Sequence, residues 1–157
     1  MAAMQDLNPH QSFGIRTANL EDAGAIAALM VQLGYPTSTE EMQARLTPIL
    51  QEPKQITLIA EIQGAVIGMI GAGLGHYYER NGSYGRIFTI VVDEAHRGQG
   101  IGSALVAAAE GWLMERGVIS IIINSGTHRR EAHRFYQHRG YRETGIRLVK
   151  FLPQNSD

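Results

Sequence analysis

Apolar positions along the chain change period several times, and each change marks an expected element. Residues 13–17 read as a short strand, after which Asn19 and Asp22 supply a capping-box-like helix start. Ile26, Leu29, Met30 and Leu33 recur at helical spacing and form its buried stripe, with Gly34 as the stop. Thr39 can cap a second short helix carrying Met42 and Leu46, which Pro48 should end or kink. Residues 55–62 and 65–74 read as a hairpin around Gln63 and Gly64, and residues 86–92 as the next strand. Residues 100–116 form a helix with Ile101, Leu105, Ala108 and Trp112 on one face, stopped by Gly117. The unbroken branched run at 119–123 predicts a buried strand. Residues 130–139 make the last helix, ended by Gly140, and 141–152 supply final strand material. This order predicts an α/β fold, a mixed sheet with helices on both faces.

Residues 91–106, VVDEAHRGQGIGSALV, carry the strongest chemical signal. An apolar strand breaks into a turn at Gly98, Gly100 and Gly102 and reopens as a helix, so backbone N–H groups can converge on an anion at the helix's positive end. Arg97 adds a charge at the rim. No GxxxxGK[ST] run is present, and Ser103, Ala104 and Leu105 follow where a dinucleotide loop needs a third glycine. What remains is Arg97-x-x-Gly100-x-Gly102. Further on comes Ala132-His-Arg-Phe135-Tyr136-x-x-x-Gly140-Tyr141. The two motifs, in this order, resemble the coenzyme A pyrophosphate loop and the late A-x-x-x-Y-x-x-x-G-[FY] helix of the Gcn5-related N-acetyltransferase (GNAT) superfamily.

The resemblance covers nearly the whole chain. It implies a single, mostly antiparallel twisted-sheet domain over 1–157 and an N-acetyltransferase that moves an acetyl group from acetyl-coenzyme A to a primary amine by direct attack. The pyrophosphate would lie on Arg97, Gly98, Gln99, Gly100, Ile101, Gly102 and Ser103, and the pantetheine arm would pair with the backbone of Ile90, Val91 and Val92. Backbone N–H groups near Val91 would receive the oxyanion, and Tyr136 would protonate the departing thiolate. The base stays open. Histone-acetylating members carry a glutamate on the strand before the loop, where this chain has about Tyr84, with Thr89 further along; Glu61, Glu79, His76 and Tyr84 are candidates, and solvent is another. Many members also carry an asparagine three residues before the helix alanine, where Arg129 stands here. Asn124 either takes that role toward the pantetheine or only closes its strand, and Arg129 and Arg134 suit phosphate. Gly71, Gly73 and Gly75 leave one face of their strand bare, either as the floor of an acceptor site reaching His76, Tyr77, Tyr78 and Glu79 or as a weakened, bulged strand end.

Composition changes this picture little. The chain has 157 residues, 44% of them hydrophobic and 18% charged, which suits one globular domain with flexible ends at 1–12 and 153–157. No apolar run approaches the roughly 20 residues of a membrane span, the N-terminus lacks a secretory pattern, and no cysteine is present, so a cytoplasmic location is expected. The net charge is −1, yet residues 1–64 hold seven acids against three bases while residues 128–150 hold seven bases against two acids. A polyanionic cosubstrate is therefore expected nearer the C-terminal half, unless these arginines are simply a solvated face. His133 and His138 are five apart, unlike helical ligand pairs, so no metal is expected. The acceptor is expected to be a small-molecule or peptide amine; acids at Glu61, Glu79, Asp93 and Glu94 would suit a cationic one. Superfamily members are often dimers, which makes a homodimer an expectation of the resemblance. Two other classes compete: an acyl-coenzyme A binding or sensing module of the same fold without turnover, and nucleic-acid binding by the basic segment. The latter lacks dense lysine and a stacking platform, so neither nucleic acid nor membrane is expected as a partner.

Overall fold

The computed structural model describes residues 12–124 and 130–154. The chain forms two compact units, Met1–Ile123 and Asn124–Asp157. In the first, β1 (Gly14–Thr17), β2 (Gln55–Ile62), β3 (Ala65–His76), β4 (Ser83–Val92) and β5 (Ser120–Ile123) form one sheet in that order. Three helices join them: α1 (Ala23–Leu33), α2 (Thr39–Gln51) and α3 (Ile101–Glu115). All neighbouring strands run antiparallel except β4 and β5, so the expected mixed α/β sheet is present.

Local chemistry sets the element ends. Asn19 and Asp22 form the expected capping box, here opening a 3-10 turn at Leu20–Asp22 that leads into α1. Gly34 closes α1 in the left-handed region at φ 104°, its N–H reaching the Met30 and Val31 carbonyls. Gln63 and Gly64 both have positive φ, 49° and 80°, the backbone of a two-residue hairpin. Helix α2 departs from expectation twice. Ser38 caps it in place of Thr39, because Glu41 lies three residues on and returns the bond: the Glu41 N–H donates to Ser38 Oγ at 3.1 Å and the Ser38 N–H to Glu41 Oε1 at 3.2 Å. Pro48 does not end it; the helix runs on to Gln51. Proline removes one donor, and so near the C-terminus few bonds follow it.

Strand alternation divides the side chains between two helix layers. Met69, Ile59 and Val91 join Ile26, Leu29, Met42 and Leu46 in one buried cluster, which places α1 and α2 on one sheet face. Gly68, the neighbour of Met69, lies under Leu105 and Ile101 of α3, so α3 covers the opposite face. There Gly85 receives Leu113: a Cβ on Gly85 would stand 2.6 Å from Leu113 Cδ1. This seating rotates α3 from its expected stripe. Ala109 and Leu113 are buried with Ile101 and Leu105, whereas Ala108 and Trp112 are half-buried and Trp112 stacks on the Arg116 guanidinium at 3.7 Å. The β5 expectation also changes, since the strand lies at the end of the described strand order and Ile122 is 40% exposed.

In the second unit α4 (Arg130–His138) ends at Gly140, which has φ 91°. Residues 141–154 have no regular secondary structure, contrary to the strand expected at 141–152. Alternating apolar residues are only permissive; a strand also needs a ladder partner, and the described ladders join β1 to β5 alone. The flexible-end expectation falls mostly outside the described residues. No described helix is long and apolar enough to cross a membrane.

Candidate functional site

The site begins with one extra residue in β4. Gly71 pairs with Thr89 and the next residue, Ala72, with Ile87, so Phe88 has no partner of its own and forms a β-bulge. Parallel pairing with β5 covers Tyr84 to Ile87 and stops there, whereas pairing with β3 continues to Val92. Beyond the bulge, the β5-facing edge of β4 has no ladder partner among the described residues. Ile90, Val91 and Val92, the predicted pantetheine-binding residues, lie on that edge, where an amide-bearing chain could add as a strand does.

After Val92 a short 3-10 turn, Glu94–His96, leads to the glycine loop. Gly98 and Gly100 have φ 77° and 80°, and a side chain on Gly98 would meet nothing within 4 Å, so Gly98 supplies backbone freedom and not space. Gly100 is the N-cap of α3 and offers no side-chain cap, which leaves the N–H groups of Ile101, Gly102 and Ser103 for an anion. Arg97 is exposed beside them, its Nε donating to the Val92 carbonyl at 3.2 Å. Gln99 is exposed on the same loop.

A polar latch holds this loop to α1. Gln32 Nε2 donates to Asp93 Oδ1 at 2.7 Å, the Glu94 N–H donates to Gln32 Oε1 at 2.9 Å, and His96 Nδ1 lies 2.8 Å from Asp93 Oδ2. Gln32, then His96, hold the Asp93 carboxyl below the usual carboxylate range. Sequence reasoning missed Gln32, and no signal at that exposed helix position announces a partner 61 residues away.

On the α1 and α2 face a cavity of about 310 Å³ opens over the middle of the sheet. Its floor follows from register. Thr57, Gly71 and Thr89 form one row across β2, β3 and β4, and Gln55, Gly73 and Arg86 form the next. Met30, Leu46 and Ile49 close it from the helices, with Arg45 beside them. The three glycines behave differently from one another. Gly71 is open to the cavity, but the Phe88 ring lies over Gly73, 2.8 Å from where a Cβ would stand, and the Tyr84 ring covers Gly75. The bare face expected at Gly73 and Gly75 is thus filled by β4 aromatics.

The candidate bases are dispersed. Glu61 is at the other end of β2, bound by Arg16 Nε at 3.1 Å. His76 is exposed at the end of β3, opposite Ser83, and Glu79 is exposed in the turn beyond it. Tyr84 shares the cavity's sheet face, in the row beyond Arg86, with its ring 5.1 Å from that of Tyr77. Tyr77 in turn bonds Ser120 through its hydroxyl. The acids considered for a cationic acceptor do not line this cavity; Asp93 lines a separate groove of about 490 Å³ with Glu21 and Asp22, between α1 and the β2–β3 turn. In the second unit Tyr136 is half-buried on α4, its ring edge-on to Phe135 at 5.3 Å and Tyr141 at 5.9 Å. Its carbonyl accepts the N–H groups of Arg139 and Tyr141. Asn124, which follows β5, and Arg134 on α4 are exposed, and Arg129 lies outside the described residues. Among the described residues no group of three or more His, Cys, Asp or Glu could hold a metal ion.

Comparison with known proteins bears on the family and the fold. The model of the acetyltransferase (GNAT) family matches residues 24–141. The aminoalkylphosphonate N-acetyltransferase of Salmonella typhimurium is 31% identical over 143 residues, 88% of this chain and 90% of that one. A GNAT family acetyltransferase from Staphylococcus aureus superposes with a TM-score of 0.77 at 27% identity, covering 90% of this chain and all of the other. An aminoglycoside N-acetyltransferase solved in complex with coenzyme A has a TM-score of 0.78 at 24% identity, over 94% of this chain and 99% of its own, a likeness of fold.

Proposed function

The chain belongs to the acetyltransferase (GNAT) family and is an acetyl-coenzyme A dependent N-acetyltransferase, and on that premise we propose that it acetylates a small-molecule primary amine by direct attack in a ternary complex. The observation that carries this reading is the β4 edge that has no ladder partner among the described residues and runs into the glycine loop. Pyrophosphate on the Arg97 to Ser103 loop and pantetheine along Val92, Val91 and Ile90 bring the thioester back toward Phe88, four residues and about 13 Å up the strand. The 310 Å³ cavity lined by Thr89 and Phe88 lies at that end and is of small-molecule size.

In the reaction the neutral amine attacks the thioester carbonyl. Strand N–H groups near Val91 receive the negative charge that develops on oxygen, and the tetrahedral intermediate collapses with loss of the thiolate. Tyr136 is the proposed acid for the sulfur, supported by its match to the family's tyrosine position, and Tyr84 is the proposed route, through water, for the amine's proton. Release of free thiol from acetyl-coenzyme A in the presence of small amines tests the reading. Tyr136→Phe should lower kcat by about 10- to 100-fold and change the KM for acetyl-coenzyme A less than about twofold. An unchanged kcat would remove Tyr136 from the mechanism, and absence of thiol release with every amine would favour the sensing module.

A further inference from the structure

The charge around the acceptor cavity is one-sided. Among the described residues Arg45 is the sole charged one in its lining, and no acid contributes. Arg86 lies in the Gln55–Gly73–Arg86 row of the floor, and its guanidinium sits 5.8 Å from the centroid of Phe88, part of the cavity wall. Glu41 meets Arg45 only at 3.4 Å and with both side chains about half exposed, a pair too weakly held to keep a better anion away. The other identified hydrogen bond of the Arg45 guanidinium is to Thr37 Oγ1, at 3.1 Å. The Glu21, Asp22 and Asp93 groove borders the glycine loop, at the phosphate end of β4 and away from the thioester end.

Resting on the proposed function, we infer that the acceptor is an amine whose far end carries a compact oxyanion, held by Arg45 and Arg86 at the rim of the Thr57–Gly71–Thr89 floor. A guanidinium can donate two parallel bonds to a phosphonate or carboxylate. Arg45 on α2 and Arg86 on β4 approach from different elements, so an anion between them would fix the direction of the attached amine. The apolar wall of Met30, Leu46 and Ile49 suits a short alkyl linker. A polycation would find like charge at this rim and, among the described residues, no carboxylate within.

The test separates this inference from the reaction itself. Calorimetric titration of 2-aminoethylphosphonate, β-alanine, propylamine and 1,3-diaminopropane into protein saturated with coenzyme A measures binding without turnover; thiol release from acetyl-coenzyme A measures turnover. An anionic amine should bind about tenfold or more tightly than propylamine. Arg45→Gln and Arg86→Gln should each raise its Kd and KM by roughly fivefold to tenfold, a larger change than propylamine shows, with Arg86→Lys retaining part of the preference. The phosphonate and carboxylate arms identify which oxyanion the rim prefers. Equal or better binding of propylamine or the diamine, equal losses for all amines in the arginine variants, or no binding of any amine would overturn the inference. Binding in the expected order without thiol release would uphold it and overturn N-acetyl transfer to these amines. Turnover of propylamine at least as efficient as that of the anionic amines would do the reverse.

Discussion

Arg16 holds both carboxylate oxygens of Asp22, with Nη2 2.8 Å from Oδ1 and Nη1 2.9 Å from Oδ2. The Asp22 side chain is only 7% exposed, and this contact, followed by the Asn19 N–H, keeps its carboxyl below the usual carboxylate range. A depressed folded-state value means that the contribution to stability is present above the unfolded value of about 4 and is lost as pH falls through the folded value. Asp22→Asn should cost about 2 kcal/mol at neutral pH and flatten the acid limb of the stability curve. Denaturant melts across pH would show it; parallel curves for the two proteins would refute it.

The glycine loop predicts a graded loss of cosubstrate. Gly100 has φ 80°, which asparagine and aspartate tolerate better than other side chains. Gly100→Asn should weaken acetyl-coenzyme A binding by about tenfold, and Gly100→Asp by about a hundredfold or more through repulsion of phosphate. Calorimetry on both variants, with melting curves to verify folding, separates charge from shape. Equal Kd values for the two would remove the anion from the loop.

Gly73 predicts the opposite selectivity. A valine there collides with the Phe88 ring and with Gln55 Cγ, 3.1 Å from the new Cβ, and so deforms the proposed acceptor cavity from below. Acceptor KM should rise by roughly tenfold or more while the Kd for acetyl-coenzyme A changes less than about threefold. Loss of both together would place the damage in the sheet at large.

The Gln32 latch predicts a donor-side effect from a residue outside the loop. Gln32→Ala removes one bond to Asp93 and one to the Glu94 N–H. It should raise the Kd for acetyl-coenzyme A by about threefold to tenfold, with kcat at saturation nearly constant. A change confined to thermal stability would reduce the latch to a fold contact.

Much of this arrangement could be read from the chain because its cause is local. Gly34, Gly64, Gly117 and Gly140 each take the positive φ that their turn requires, and the Gly98–Gly102 loop opens α3 at the expected place. What escaped depends on distant partners. The α3 stripe was offset by one residue because Gly85, on another strand, admits Leu113 in preference to Trp112. Arg45 and Arg86 give no motif; the packing of α2 brings Arg45 to the cavity, and the β3 and β4 register puts Arg86 in the row beside it. The acids that suggested a cationic acceptor disperse for the same reason, with Glu61 drawn to Arg16.

Phe88 can be removed on paper without disturbing either half of its strand. Arg86 and Ile87 face opposite sides of the sheet, Thr89 shares the side of Arg86, and excision would leave an unbroken alternation against β3. The inserted residue therefore contributes nothing to the regular ladder. It stands where the pairing with β5 stops and hangs a ring over Gly73, so one supernumerary amino acid adjoins both the proposed cosubstrate edge and the proposed acceptor wall. A chain lacking Phe88 should make the more regular sheet and the poorer catalyst, which makes this bulge a place where selection for stability and selection for turnover pull apart.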